Sequence, residues 1–136
     1  SGCGRFHAYI QIRKTHEGQP KEAIMAALTS SEMTKHVIVV DEDINIYDDR
    51  WVLWAVATRS QWDKDLVVIP GCRGAKLDPS IEGIVGTKGG IDATKPAPPV
   101  RFSERLYVPE EVMKKIHLSD FIDQDKIKSA PTMVDR

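Results

Sequence analysis

Hydrophobic and polar positions alternate from the start of the chain. Phe6, Ala8, Ile10 and Ile12 interleave with His7, Tyr9, Gln11 and Arg13, which predicts a strand with one buried face. Thr15 to Gly18 breaks the alternation, and Pro20 suits the first turn of a helix, where its missing N–H costs nothing. Ile24, Ala27 and Leu28 share one helical face, with Met25 beside it, so a helix is expected from Pro20 to about Thr29. After His36 comes an unbroken β-branched run, Val37-Ile38-Val39-Val40, the pattern of a strand buried on both faces in a parallel sheet. Asp48 has the side chain of an N-cap for a helix over Asp49 to about Arg59, with Tyr47 and Val52 at the two positions of a hydrophobic staple. Between Trp51 and Ala57 that helix is apolar nearly all round, so cover on more than one side is expected. Leu66-Val67-Val68-Ile69 predicts a third buried strand, stopped by Pro70-Gly71.

The order β-α-β-α-β predicts an α/β fold: a layered core with a mainly parallel three-stranded sheet and right-handed crossovers that put both helices on one face. The other face would be bare and need a partner domain or subunit. Residues 71–100 are rich in Gly and Pro without a sustained period, which predicts a long loop ending in the stiff spacer Pro96-Ala97-Pro98-Pro99. Pro109 to Ile116 reads as a helix, acidic first and basic last as its dipole prefers. Ser119 to Ile122 starts a further turn, and 124–136 resembles a frayed tail. The division expected is an α/β domain over 1–100 and a C-terminal helical arm and tail over 101–136.

Length and composition fit one domain able to build its own core: 136 residues, 41% hydrophobic and 29% charged. A net charge of −1 with mixed signs argues against nucleic acid or an anionic membrane as a partner through bulk charge. The apolar runs are too short to span a bilayer. Ser1-Gly2-Cys3-Gly4-Arg5 shows no signal-peptide pattern. Cys3 and Cys72 do not form a metal-type pair, and reduced thiols in a cytoplasmic protein are expected rather than a disulfide.

Candidate chemistry is sparse. Asp41, Glu42, Asp43 and Asn45 could hold Mg²⁺ or Ca²⁺ after a parallel strand, but they lack the Gly and distal Glu of an EF-hand loop, and polar capping is the reading preferred. Gly86-Thr87-Lys88-Gly89-Gly90 lacks the Walker spacing and reads as a flexible turn. The four histidines are scattered, and no Gly-x-Ser-x-Gly elbow is present. Trp51 and Trp54, at helical spacing, are expected as packing or interface anchors. Ligands of open α/β sheets bind beyond the carboxyl ends of the strands. Gly71 to Pro79, after the third strand, is therefore the site candidate, with Arg73, Lys76 and Asp78 as polar groups and Ala75 and Leu77 as apolar ones.

Three stretches carry a family resemblance. Lys35 to Tyr47 resembles the strand and acidic turn of UbiD-family decarboxylases. Val52 to Arg59 is similar to their "VLWAxxTR" helix, and Gly86 to Thr94 to their "xKxGIDAT" segment. The resemblance implies the C-terminal domain of a prenylated-flavin-dependent, non-oxidative decarboxylase or carboxylase of aromatic or α,β-unsaturated carboxylic acids. In that family the N-terminal and central parts bind prenylated FMN with a divalent metal (Mn or Mg) and K⁺. The central "EGPFGE/D" run does not occur in this chain, so the resemblance assigns it no catalytic, cofactor-binding or metal residue. Arg73-Gly74-Ala75-Lys76-Leu77 matches the "RGFPL" run that faces substrate in one branch, which implies Arg73, Ala75 and Leu77 as substrate-pocket residues. The implied partners are the UbiD-type catalytic domains or subunit, a flavin prenyltransferase as cofactor supplier, and further copies in a homo-oligomer. The alternative is a non-catalytic assembly or regulatory subunit that meets no flavin.

Overall fold

The computed structural model describes residues 4–117 and Phe121. The expectations for Cys3, for the turn from Ser119 and for the tail at 124–136 lie outside the described residues. The chain divides into two units, Ser1–Phe102 and Ser103–Arg136.

In the first unit the elements are β1 (His7–Ile12), α1 (Gln19–Ser30), β2 (His36–Asp41), α2 (Asp49–Arg59), β3 (Leu66–Arg73) and β4 (Val85–Ala93). They build a mixed α/β fold on a four-stranded sheet of order β1-β2-β4-β3. β1 pairs parallel with β2, with His7 opposite His36 and Ile12 opposite Asp41. β2 pairs parallel with β4, with His36 opposite Gly89 and Val40 opposite Ala93.

Three expectations are corrected. First, β4 occupies the stretch expected to be loop. Its Gly86, Gly89 and Gly90 have little strand propensity, yet close packing selects them: a Cβ on Gly90 would stand 2.4 Å from Ile24 and 3.1 Å from the Val37 carbonyl oxygen. Second, β3 is an antiparallel edge strand, paired with β4 from Leu66 opposite Ile91 to Arg73 opposite Val85. Pro70 and Gly71 do not end it; they form an irregularity within it, with Gly71 at φ 75°, as bulges at sheet edges often do. Third, the helices lie on opposite faces. Ile24 and Leu28 of α1 pack on Val37 and Val39 of β2, with Ala8, Ile10, Val67 and Ile69 around them. Val52 and Ala55 of α2 pack on Val40, Ile44 and Ala93, with Tyr9 and Ile38 beside them. Period-two alternation sends these two sets to opposite sides of β2. Each fully buried Ile or Val here contributes about 1.5–3 kcal/mol.

The remaining local expectations divide. Asp48 caps α2, its carboxylate accepting from the Arg50 amide at 3.0 Å. The staple does not form, because Tyr47 is exposed while Val52 is buried. α2 begins beyond the carboxyl end of β2 and its last residue, Arg59, returns to Asp41 there. It therefore crosses the carboxyl half of its face. The amino half is left as an open groove of about 470 Å³ bordered by His7, His36, Ile38, Leu66, Val68 and Ile91. Leu53 on the outer side of α2 is exposed, so the cover expected all round this helix is not supplied by the described residues.

In the second unit a single turn of helix, α3 (Glu110–Met113), replaces the longer one expected from Pro109 to Ile116. Leu106, Tyr107, Val108, Val112 and Met113 are exposed there.

Candidate functional site

Two places gather polar groups, one at each end of the parallel strands. At the carboxyl end, β2 delivers Asp41, the following turn Asp43, and α2 its terminal Arg59. One guanidinium nitrogen of Arg59 donates to Asp41 at 2.7 Å and to Asp43 at 2.9 Å, and the other donates to Asp43 at 2.8 Å. After β4, the Lys95 amide donates to Asp41 at 2.7 Å and its ammonium to Asp43 at 3.1 Å. Arg59 also stands 5.2 Å from the Trp54 ring, and its Nε is the one buried side-chain polar atom without a partner among the described residues.

The electrostatics follow from burial and partners. The Arg59 hydrogen bonds outweigh burial at Asp43 and hold its carboxyl at about 2. At Asp41 burial dominates and raises the pKa, against the Lys95 amide and the Arg59 charge. Burial lowers Arg59, but Asp43 and Asp41 together outweigh it and the net direction is upward. The guanidinium is therefore firmly charged and Asp43 is its main counter-ion. This differs from the capping expected of the acidic turn: the Asp41 and Asp43 carboxylates are occupied by a buried arginine. Among the described residues no three His, Cys, Asp or Glu side chains gather as a metal would need.

A cleft of about 180 Å³ adjoins this cluster, between Arg13, Lys14, Asp41, Glu42 and Lys95 with Pro96 and Pro98. Its charges are paired: Arg13 with Glu42 at 2.8 Å and Lys14 with Glu17 at 2.8 Å. Glu17 also accepts from the Ala97 amide at 2.7 Å. Lys14 chiefly, then that amide, lowers the Glu17 pKa. Carboxylates held ionised in this way bind cations and amides rather than transfer protons at neutral pH.

The residues singled out from sequence lie at the opposite end. Because β3 is antiparallel, the segment after it sits beyond the amino ends of β1 and β2, so the carboxyl-end rule applied to Gly71–Pro79 on an expected parallel strand does not hold. Arg73 ends β3, largely exposed, and pairs with Glu32 at 3.0 Å. Ala75 is buried, whereas Leu77 is 76% exposed. Lys76 is exposed. Asp78 is buried and accepts from the Lys35 ammonium at 2.7 Å. The cavity between Ala75, Cys72, Ile81 and Gly86 measures about 10 Å³, room for no more than a water molecule. The loop therefore offers a surface with Leu77 outermost, not a closed pocket.

Comparison with known proteins places this geometry. The family described as the 3-octaprenyl-4-hydroxybenzoate carboxy-lyase C-terminal domain matches residues 1–93. The chain belongs to the UbiD C-terminal domain family. Among relatives of this UbiD C-terminal domain, the anhydromevalonate phosphate decarboxylase of Aeropyrum pernix is 49% identical over 106 residues, covering 78% of this chain and 24% of that protein. The anhydromevalonate phosphate decarboxylase of Methanocaldococcus jannaschii is 52% identical over 95 residues, 68% of this chain and 23% of that one. The UbiD-class enzyme HmfF from Pelotomaculum thermopropionicum, solved with FMN, superposes with a TM-score of 0.72 at 49% identity, covering 87% of this chain and 26% of that one. Vanillic acid decarboxylase of Sedimentibacter hydroxybenzoicus, in open form, gives 0.69 at 32% identity over 85% of this chain and 26% of that one. The chain spans about a quarter of the length of these proteins.

The Arg59 cluster joins the three stretches that carried the family resemblance: the acidic turn, the end of the tryptophan helix and the residue after Ala93-Thr94. Sequence reasoning missed it as a unit. The signal was there, since an arginine closing an apolar helix and an aspartate closing a buried strand each need an opposite charge. Lys35 was missed as well, because a lysine before a strand has no local partner.

Proposed function

We propose that this UbiD C-terminal domain completes a non-oxidative decarboxylase, or carboxylase, acting on aromatic or α,β-unsaturated carboxylic acids. Support comes from relatives and neighbours named as decarboxylases and from a UbiD-class neighbour, HmfF, solved with FMN. The single observation that carries the role of this chain is the 74–84 loop, which exposes Leu77 on an otherwise anchored base. Leu77 is the apolar contact of the substrate-pocket wall, Ala75 packs behind it, and Arg73 stands at the rim. Cofactor, in this reading, is prenylated FMN with Mn or Mg and K⁺, supplied through a flavin prenyltransferase. In this reading this chain supplies none of its ligands. The N-terminal and central catalytic domains hold it instead, and this chain positions substrate and excludes water.

The bare half of the sheet and the exposed Leu53 of α2 favour burial against those domains or further copies in a homo-oligomer. Cytoplasmic location belongs to the same proposal; among the described residues no helix is long and apolar enough to cross a membrane. In the complete enzyme, Leu77→Glu is expected to lower turnover at least about tenfold, equivalent to about 1.4 kcal/mol in the barrier, with flavin binding unchanged. Equal loss of flavin and turnover would overturn the assignment and favour a purely architectural subunit.

A further inference from the structure

We infer that Lys35 is a positioning residue: its ammonium, gripping Asp78 and Ser80, sets where Leu77 stands. This rests on the proposed pocket-wall role of Leu77.

The geometry forms a continuous path from sheet to tip. Lys35 precedes β2 and its backbone is tied on both sides, its amide donating to the Phe6 carbonyl at 2.9 Å and its carbonyl accepting from the Gly89 amide at 3.0 Å. The side chain, one-fifth exposed, reaches across 43 positions of sequence to Asp78 at 2.7 Å and also donates to the Ser80 hydroxyl. Asp78 is wired into the loop at both ends: its amide donates to the Ala75 carbonyl at 2.9 Å, and its other carboxylate oxygen accepts from the Ser80 amide at 3.0 Å and hydroxyl at 2.7 Å. Leu77 is the residue immediately before it.

Two further features fix the base of the loop. The Gly74 amide donates to the Ile84 carbonyl at 2.9 Å. Ile81 fills a notch between Gly74 and Gly86, where an added Cβ on either glycine would stand 2.7 Å from its side chain. The base is thus held by one backbone hydrogen bond and by packing, without a charged contact. Among the described residues the corner that carries Leu77 has one link to the sheet through charge, and that link is Lys35. Lys35 chiefly, then Ser80, holds the Asp78 carboxyl at about 2, so the link persists across neutral pH. Substrate placement is sensitive to such links, since a displacement of about 1 Å can cost roughly a hundredfold in rate.

The test uses the complete enzyme carrying this domain. Parent, Leu77→Ala, Lys35→Met, the double variant and Lys35→Arg are assayed for carbon dioxide release. The probe is whichever of vanillate, cinnamate and anhydromevalonate phosphate the parent turns over fastest. If Lys35 acts through Leu77, each single variant lowers kcat/KM about tenfold, mainly by raising KM, and the double variant is no worse than the singles. Lys35→Arg recovers most of the loss, because a guanidinium also binds a carboxylate. Multiplicative losses near a hundredfold would overturn the inference, as would a harmless Lys35→Met beside a harmful Leu77→Ala. A parent inactive on all three acids, or a harmless Leu77→Ala, would sink the pocket-wall reading first. Backbone hydrogen exchange gives an independent readout. Lys35→Met, or the milder Ser80→Ala should the former fold poorly, is expected to speed exchange at the Asp78 and Ser80 amides and leave β2 and β4 protected. Unchanged exchange there would overturn the inference too.

Discussion

Replacing Arg59 by methionine tests whether the charge cluster holds α2 across the sheet. Methionine keeps an unbranched apolar stem, so the change removes charge and hydrogen bonds with little change in packing. The Arg59 side chain is 3% exposed, Asp41 10% and Asp43 45%. Breaking a buried pair by removing one partner costs about 3–5 kcal/mol. Asp43 lies near the surface and keeps Lys95 at 3.1 Å, which places the expected loss at the lower end, about 3 kcal/mol. For a unit of this size that corresponds to a fall in Tm of about 12–24 °C. Arg59→Lys keeps the charge but cannot reproduce three directed contacts on two carboxylates, and about half the loss is expected. The assay is urea unfolding of the 136-residue chain followed by tryptophan fluorescence, which Trp54 beside Arg59 reports directly. Adding Asp41→Asn to Arg59→Met should restore about 1 kcal/mol, because the stranded buried charge is gone. An Arg59→Met variant within about 0.5 kcal/mol of the parent would refute the reasoning, since that is the range of an ordinary surface substitution.

Further outcomes follow from the same structure. Gly90→Ala should destabilise by about 1–3 kcal/mol through overpacking, because its Cβ meets the two γ carbons of Ile24 and the Val37 carbonyl; in an Ile24→Ala background, which removes both γ carbons, Gly90→Ala should cost less in the same urea titration, and an unchanged cost would locate the strain elsewhere. Acid should unfold the chain in a defined window. Asp43 and Asp78 sit at about 2 in the fold against 3.8 ordinarily, so their stabilisation is present above that ordinary value and lost as pH falls through about 2. Asp41 has the opposite sign, its raised pKa letting the fold take up a proton first. Arg59→Met removes the partner that lowers Asp43, and the slope of stability against pH between about 4 and 2 should flatten; an unchanged slope would mean the Arg59–Asp43 pair does not set it.

Periodicity made β1 and α1 legible, because a buried face imposes its spacing on the residues that line it, while β2 and α2, buried or apolar on more than one side, showed as continuous apolar runs. Asp48 announced its helix for the same local reason: a short acidic side chain satisfies an amide two residues on. β4 was illegible. Its glycines answer to Ile24 on α1, Val67 on β3 and Ile81 in the loop, and of these only Ile81 is near in sequence, in a segment with no period of its own. For the candidate site the sequence supplied Arg73, Ala75 and Leu77 by resemblance, and the structure leaves Arg73 and Leu77 exposed and buries Ala75.

The sequence alone determined which segments are apolar, where helices are capped and which family the motifs resemble, since these depend on neighbours along the chain. Tertiary structure decided the direction of β3 and with it the end of the sheet where Leu77 stands. A helix of 11 residues could lie along the sheet or across it with the same apolar pattern. The contact of Arg59 with Asp41 and Asp43 turns it across, so the chain enters β3 from the carboxyl end and must run antiparallel. Contacts spanning 16 and 18 positions carry that choice, and no local period encodes them.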